Sequence, residues 1–160
     1  MMMDPFHILK KVKTLLIDDD DLIRDSLDIV FKNKGCFIRT AESAEEGLRA
    51  IQEERFDLII SDLKLPGMDG LEILQLAGLA QPDAIGVLIT AYRDKNTASW
   101  KTALKCVDCI EKPFSVDGLA EMLAQLIIDR KDQLNSKHLL EVQVSAENDG
   151  GLIRSEHEYR

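Results

Sequence analysis

The sequence predicts an α/β domain: a doubly wound, five-stranded parallel sheet wrapped by five helices. Three observations carry this expectation. Five short apolar runs read as near-continuous hydrophobic stretches, the pattern of strands buried on both faces. Each run is followed by a segment of helical spacing, and strict strand–helix alternation builds a parallel sheet. Four of the runs end on polar groups that packing does not require: Asp18-Asp19, Asp62, Thr90 and Lys112.

Taken in order, residues 1–9 read as a loosely held lead-in. Val12 to Ile17 forms the first strand and stops at Asp18-Asp19-Asp20-Asp21. Four adjacent carboxylates repel one another, so a positive group is expected nearby. Asp20 or Asp21 caps a helix over 22–31, which ends near Lys34-Gly35. Cys36 to Thr40 is the second strand. Ser43-Ala-Glu-Glu46 has the spacing of a capping box and opens a helix to about Glu54. Asp57 to Ser61 is the third strand, and Pro66-Gly67-Met68-Asp69-Gly70 supplies turn chemistry before the third helix. Gly78 and Gln81-Pro82-Asp83 end that helix. Ala84 to Ile89 is the fourth strand, 94–104 the fourth helix and Val107 to Glu111 the fifth strand. A fifth helix from Asp117 to about Gln133 places Leu119, Leu123, Leu126 and Ile127 at helical spacing. The domain therefore covers 10–133. The extension 134–160 reads three ways: a β-hairpin, from the alternation at Leu140–Val144 and the turn signal at Asn148-Asp-Gly-Gly151; a disordered tail; or the start of a truncated output segment.

Bulk composition excludes several classes. The chain has 160 residues, enough for one well-buried domain, and a net charge of −9 argues against a nucleic-acid surface. No apolar run approaches the roughly 20 residues of a membrane span, and no signal peptide is visible, so a cytoplasmic address is expected. Three cysteines are too few for a disulfide framework. Cys106 and Cys109 have a C-x-x-C spacing, but on a strand such residues face opposite sides.

The strand ends carry the chemistry. In open α/β sheets, sites form beyond the carboxyl ends of the strands. Asp18, Asp19 and Asp62 together suit a hard, oxygen-seeking cation such as Mg²⁺. Thr90 and Lys112 suit the oxygens of a phosphoryl group. A carboxylate between the two sets can act as a nucleophile toward phosphorus.

Four motifs, in order, resemble the receiver domains of two-component response regulators: Leu-Leu-Ile-Asp-Asp-Asp-Asp-Leu-Ile-Arg (15–24), Asp-Leu-Ile-Ile-Ser-Asp-Leu-Lys-Leu-Pro-Gly-Met-Asp-Gly (57–70), Val-Leu-Ile-Thr-Ala-Tyr (87–92) and Glu-Lys-Pro-Phe (111–114). The resemblance spans about 10–130 and implies a flavodoxin-like fold of the receiver type. It implies that Asp62 is the phosphoacceptor, that Asp19 binds Mg²⁺ directly, and that Asp18 holds it through water. It further implies that Lys64 offers a backbone carbonyl to the metal, that Thr90 is the switch hydroxyl, that Lys112 binds phosphate, and that the Lys112–Pro113 bond is cis. The implied partner is a sensor histidine kinase or histidine phosphotransfer protein. A homodimer would use the face of the fourth helix, fifth strand and fifth helix, where Trp100, Ala103 and Leu104 form a stripe that core packing also explains. Such a protein is a signalling phosphoacceptor that assists only its own phosphotransfer and dephosphorylation.

Two positions depart from the family pattern. Cys109 stands where a switch aromatic is usual, and Lys105 where the loop before the fifth strand usually has glycine. A second reading is therefore a receiver-like binding module that works without phosphorylation. A flavodoxin-type electron carrier shares the topology, but four aspartates after the first strand would repel a flavin phosphate.

Overall fold

The computed structural model describes residues 3–91 and 107–157. Its elements in chain order are α1 (Pro5–Leu9), β1 (Lys13–Ile17), α2 (Asp21–Asn33), β2 (Phe37–Ala41), α3 (Ala44–Glu53), β3 (Leu58–Asp62), α4 (Gly70–Ala80), β4 (Ile85–Thr90), β5 (Val107–Glu111) and α5 (Val116–His157). The strands form one parallel sheet in the order β2-β1-β3-β4-β5. The expected fold class is the observed one. The helix expected over 94–104, with Trp100, Lys105 and Cys106, lies outside the described residues.

The apolar runs become central strands as their composition requires. Leu15, Ile17, Ile59 and Leu88 share one buried cluster with Ala44, Ala50 and Ile51 of α3 and Ile73, Leu74 and Ala77 of α4. Leu16, Leu58, Ile60, Val87 and Ile89 alternate with them along the strands and are equally buried. Buried Leu27 and Phe31 come from α2, and buried Leu119 and Leu123 from α5. Asp20 caps α2, accepting hydrogen bonds from the Leu22 and Ile23 amides at 2.9 and 3.4 Å. Ser43 caps α3 through the Glu46 amide at 3.2 Å, and Asp69 caps α4 through the Glu72 amide at 2.8 Å. Buried Gln81 ties the end of α4 to the α3–β3 connection. Its amide nitrogen donates to the Ile51 and Glu54 carbonyls and its oxygen accepts from the Phe56 amide, each at 2.8 Å.

Two stretches differ from the sequence expectation. The lead-in is a docked helix: Asp4 caps α1, and Phe6 and Leu9 are 3% and 1% exposed. The Phe6 ring meets Phe31 edge-on, with centroids 5.8 Å apart, and Lys34 Nζ lies 5.3 Å from its centre. The alternating stretch 140–144 lies inside α5, which continues to His157, so it is neither a hairpin nor coil there. Helix formers outnumber turn residues through 125–147 and no proline interrupts them, so a five-residue alternation is too weak a signal.

The chain divides into two compact units, Met1–Ala124 and Gln125–Arg160. The first unit takes in the lead-in and ends nine residues short of the expected boundary at 133. The second is the continuation of α5, which leaves Leu134, Leu139, Leu140, Val142 and Val144 exposed. Among the described residues, no helix is long and apolar enough to cross a membrane.

Candidate functional site

The site lies at the carboxyl end of the sheet, where the chain departs from β1 in one direction and from β3 in the other. β1 and β3 are paired neighbours, with Ile17 opposite Ser61. The residues that follow them, Asp18 and Asp62, therefore emerge side by side. Asp18 is fully buried, Asp62 is 7% exposed, and Asp19 is exposed at the rim. One carboxylate oxygen from each of Asp18, Asp19 and Asp62 can be chosen so that all lie within 4.8 Å of one another. Lys112 follows β5 and reaches across: its Nζ is 3.4 Å from Asp62 Oδ2 and 3.6 Å from Asp18 Oδ2.

Each group is fixed by its backbone. The Asp18 amide donates to the Ala41 carbonyl at 3.1 Å, which extends the β1–β2 pairing one residue past the strand. The Leu63 amide donates to the Ile89 carbonyl at 2.8 Å, and the Lys112 amide to the Thr90 carbonyl at 2.7 Å. Thr90 ends β4 and is 4% exposed, one residue past Ile89, the register partner of Asp62. Lys64 sits two residues beyond Asp62 on the exposed loop into α4. The Lys112–Pro113 bond is cis, as the resemblance implied.

The structure thus brings Asp18, Asp19, Asp62 and Lys112 together and puts Thr90 at the adjoining strand end. Sequence reasoning missed two supports. A Cβ on Gly70 would meet the Asp62 carbonyl oxygen at 2.1 Å, so only glycine lets the start of α4 lie against that backbone. Buried Ser61 donates its hydroxyl to the same carbonyl at 3.0 Å. A glycine opening a helix was the available signal; the serine offered none.

The donor set fits a divalent cation. Asp18 Oδ1 accepts the Asp20 amide at 2.9 Å, but buried Asp18 Oδ2 has no hydrogen-bond partner among the described residues, and the Lys112 ammonium lies beyond hydrogen-bond length from it. A buried carboxylate oxygen left in this way is costly unless a cation meets it. Burial accordingly pushes the Asp18 carboxyl above its usual range, and the neighbouring charges of Asp62 and Asp19 push the same way. The Asp20 amide and Lys112 pull it back only in part.

Residues 14–124 match the family model of the response regulator receiver domain. The chain is 34% identical over 116 residues to the probable C4-dicarboxylate response regulator DctR of Bacillus subtilis, covering 71% of this chain and 51% of that one. A CheY-like response regulator receiver domain protein from Methanospirillum hungatei superposes with a TM-score of 0.70 at 28% identity, over 76% of this chain and 97% of that one. A response regulator from Burkholderia pseudomallei, solved with a phosphorylated aspartic acid, a calcium ion and citrate, gives a TM-score of 0.64 at 26% identity, over 79% of this chain and 73% of that one. The chain spans between a quarter and about half the length of several of its curated relatives. The chain belongs to the response regulator receiver domain family.

Proposed function

We propose that the chain is a phosphoacceptor receiver that takes a phosphoryl group onto Asp62 from a phosphohistidine of a sensor kinase or phosphotransfer protein. The observation that carries this reading is the convergence of Asp18, Asp19 and Asp62 oxygens within 4.8 Å, with the Lys112 ammonium 3.4 Å from Asp62. Asp62 is the nucleophile: its oxygen forms the bond to phosphorus as the bond to the donor imidazole breaks. Asp18, Asp19, Asp62 and the Lys64 carbonyl would hold Mg²⁺, which when bound neutralises phosphoryl oxygens. Lys112 offsets charge on the opposite side, and Thr90, at the end of β4, reads the transferred group. An apolar groove of about 510 Å³ beside Lys112, lined by Leu22, Ile23, Leu27, Pro113 and Phe114, suits the docking of a donor helix.

Labelling with a small phosphodonor in the presence of Mg²⁺ tests the reading. Asp62→Ala loses incorporation while Asp83→Asn, on an exposed turn, keeps it. Equal labelling of the two overturns the assignment of Asp62. A homodimer through the segment 94–104, β5 and α5 belongs to the same proposal, and sedimentation with and without a beryllofluoride mimic checks it.

Cys109 favours a second reading, in which the domain binds partners without phosphorylation. It packs partly buried against the core, where a ring able to swing would otherwise sit. A module of that kind has no need for Mg²⁺, so a chain that neither binds the cation nor can be labelled would mark this alternative.

A further inference from the structure

The four-aspartate run 18–21 needs a positive partner, and Arg24 enters it from the first turn of α2. Its Nη1 donates to the Asp18 carbonyl at 2.6 Å, its Nη2 donates to Asp21 Oδ1, and the same Nη2 lies 3.8 Å from Glu42 Oε2 just past β2. The three contacts are unequal. The carboxylates of Asp21 and Glu42 are 81% and 73% exposed, and pairs with such groups contribute little. The Arg24 side chain is only 13% exposed, so its bond to the Asp18 carbonyl is a shielded, charge-assisted one.

That carbonyl belongs to the peptide unit joining Asp18 to Asp19. A peptide unit is planar, so holding its oxygen sets the last dihedral of Asp18 and the first of Asp19 together. Those two dihedrals set the directions in which both carboxylates leave the chain. The Ala41 carbonyl and the Asp20 amide hold Asp18 from its other sides. The geometry points to Arg24 as a positioning residue for the cation site, one that aims Asp18 and Asp19 through the peptide between them. The inference rests on the reading of these aspartates as Mg²⁺ ligands.

A bland alternative is that Arg24 merely balances charge, and the two accounts differ in sign. A positive group beside a cation site repels the cation, so under charge balance alone Arg24→Gln tightens Mg²⁺ binding and Arg24→Lys leaves it unchanged. Under positioning both variants weaken it, because lysine keeps the charge but lacks the planar fork. Residues that orient metal ligands typically account for about 10- to 100-fold in affinity.

The experiment is calorimetric Mg²⁺ titration of the full chain at fixed ionic strength, with metal-free unfolding midpoints for each variant. Arg39→Gln is the control, since Arg39 makes a comparable pair with Glu53 and Glu54 at 2.7 and 2.8 Å, away from the aspartates. The expected result is about 10-fold weaker binding in both Arg24 variants and wild-type binding in Arg39→Gln. If Arg24→Gln does not fold, Arg24→Lys decides alone. Wild-type or tighter binding in a folded Arg24 variant overturns the inference, as does equal weakening in Arg39→Gln. A wild-type chain that binds no Mg²⁺ overturns the metal reading and this inference with it; binding by wild type that the Arg24 variants share overturns this inference only.

Discussion

Asp18 illustrates how a single residue can be held in a form unfavourable to the fold and useful to the site. Its folded-state affinity for a proton is raised, chiefly by burial. As pH climbs from the ordinary carboxylate range through the raised value, the folded chain holds the proton that the unfolded chain has released. Stability therefore falls across that window, and the full cost is in place above it. In metal-free buffer at pH 7, Asp18→Asn removes the charge while its side-chain oxygen still accepts the Asp20 amide, and the unfolding free energy should rise. The advantage should shrink as pH is lowered toward the ordinary carboxylate range. Urea unfolding at several pH values checks this; an Asp18→Asn chain less stable than wild type at pH 7 would show that ionised Asp18 is favourable without a cation.

At the scale of elements, α1 is the part that sequence reading undervalued. Five residues are too few to display a helical period, and the informative pair, Phe6 and Leu9, is only three residues apart. What α1 packs against depends on Phe31 and Cys36, far along the chain. Phe6→Ala should cost about 3–5 kcal/mol, the range for losing a buried aromatic ring. It should leave Mg²⁺ affinity unchanged, because no residue of α1 is among the proposed cation ligands. A loss below about 1 kcal/mol in denaturant titration would mean that α1 is not docked in solution. The strands posed the opposite case. Their apolar runs were legible because a strand buried on both faces has no polar positions to blur it, and their observed bounds moved by only about one residue.

For the molecule as a whole, the legibility of the site follows from topology. Once the strands are parallel and share one sheet, every polar residue at a carboxyl end is brought to one edge, so Asp18, Asp62, Thr90 and Lys112 needed no contact information. Arg24 was hidden because its pairing with Asp21 looks like an ordinary surface pair three residues apart, and its reach to Glu42 exists only after β1 and β2 are aligned. Gly70 was hidden because its constraint is a clash, which no pattern of side chains displays. The same convergence concentrates negative charge on a chain already at −9, so any salt relieves some repulsion. Bound and screening cations can be separated by heating the protein in NaCl and in MgCl₂ matched in ionic strength. Specific binding at 100 times the dissociation constant stabilises by about 2.7 kcal/mol. For a chain of this size, that is an unfolding midpoint higher by roughly 5–10 °C in MgCl₂ than in matched NaCl. Asp19→Asn should lose most of that difference while keeping the response to NaCl. If wild type and Asp19→Asn respond alike to the two salts, the acidic cluster is a screened surface and not a binding site.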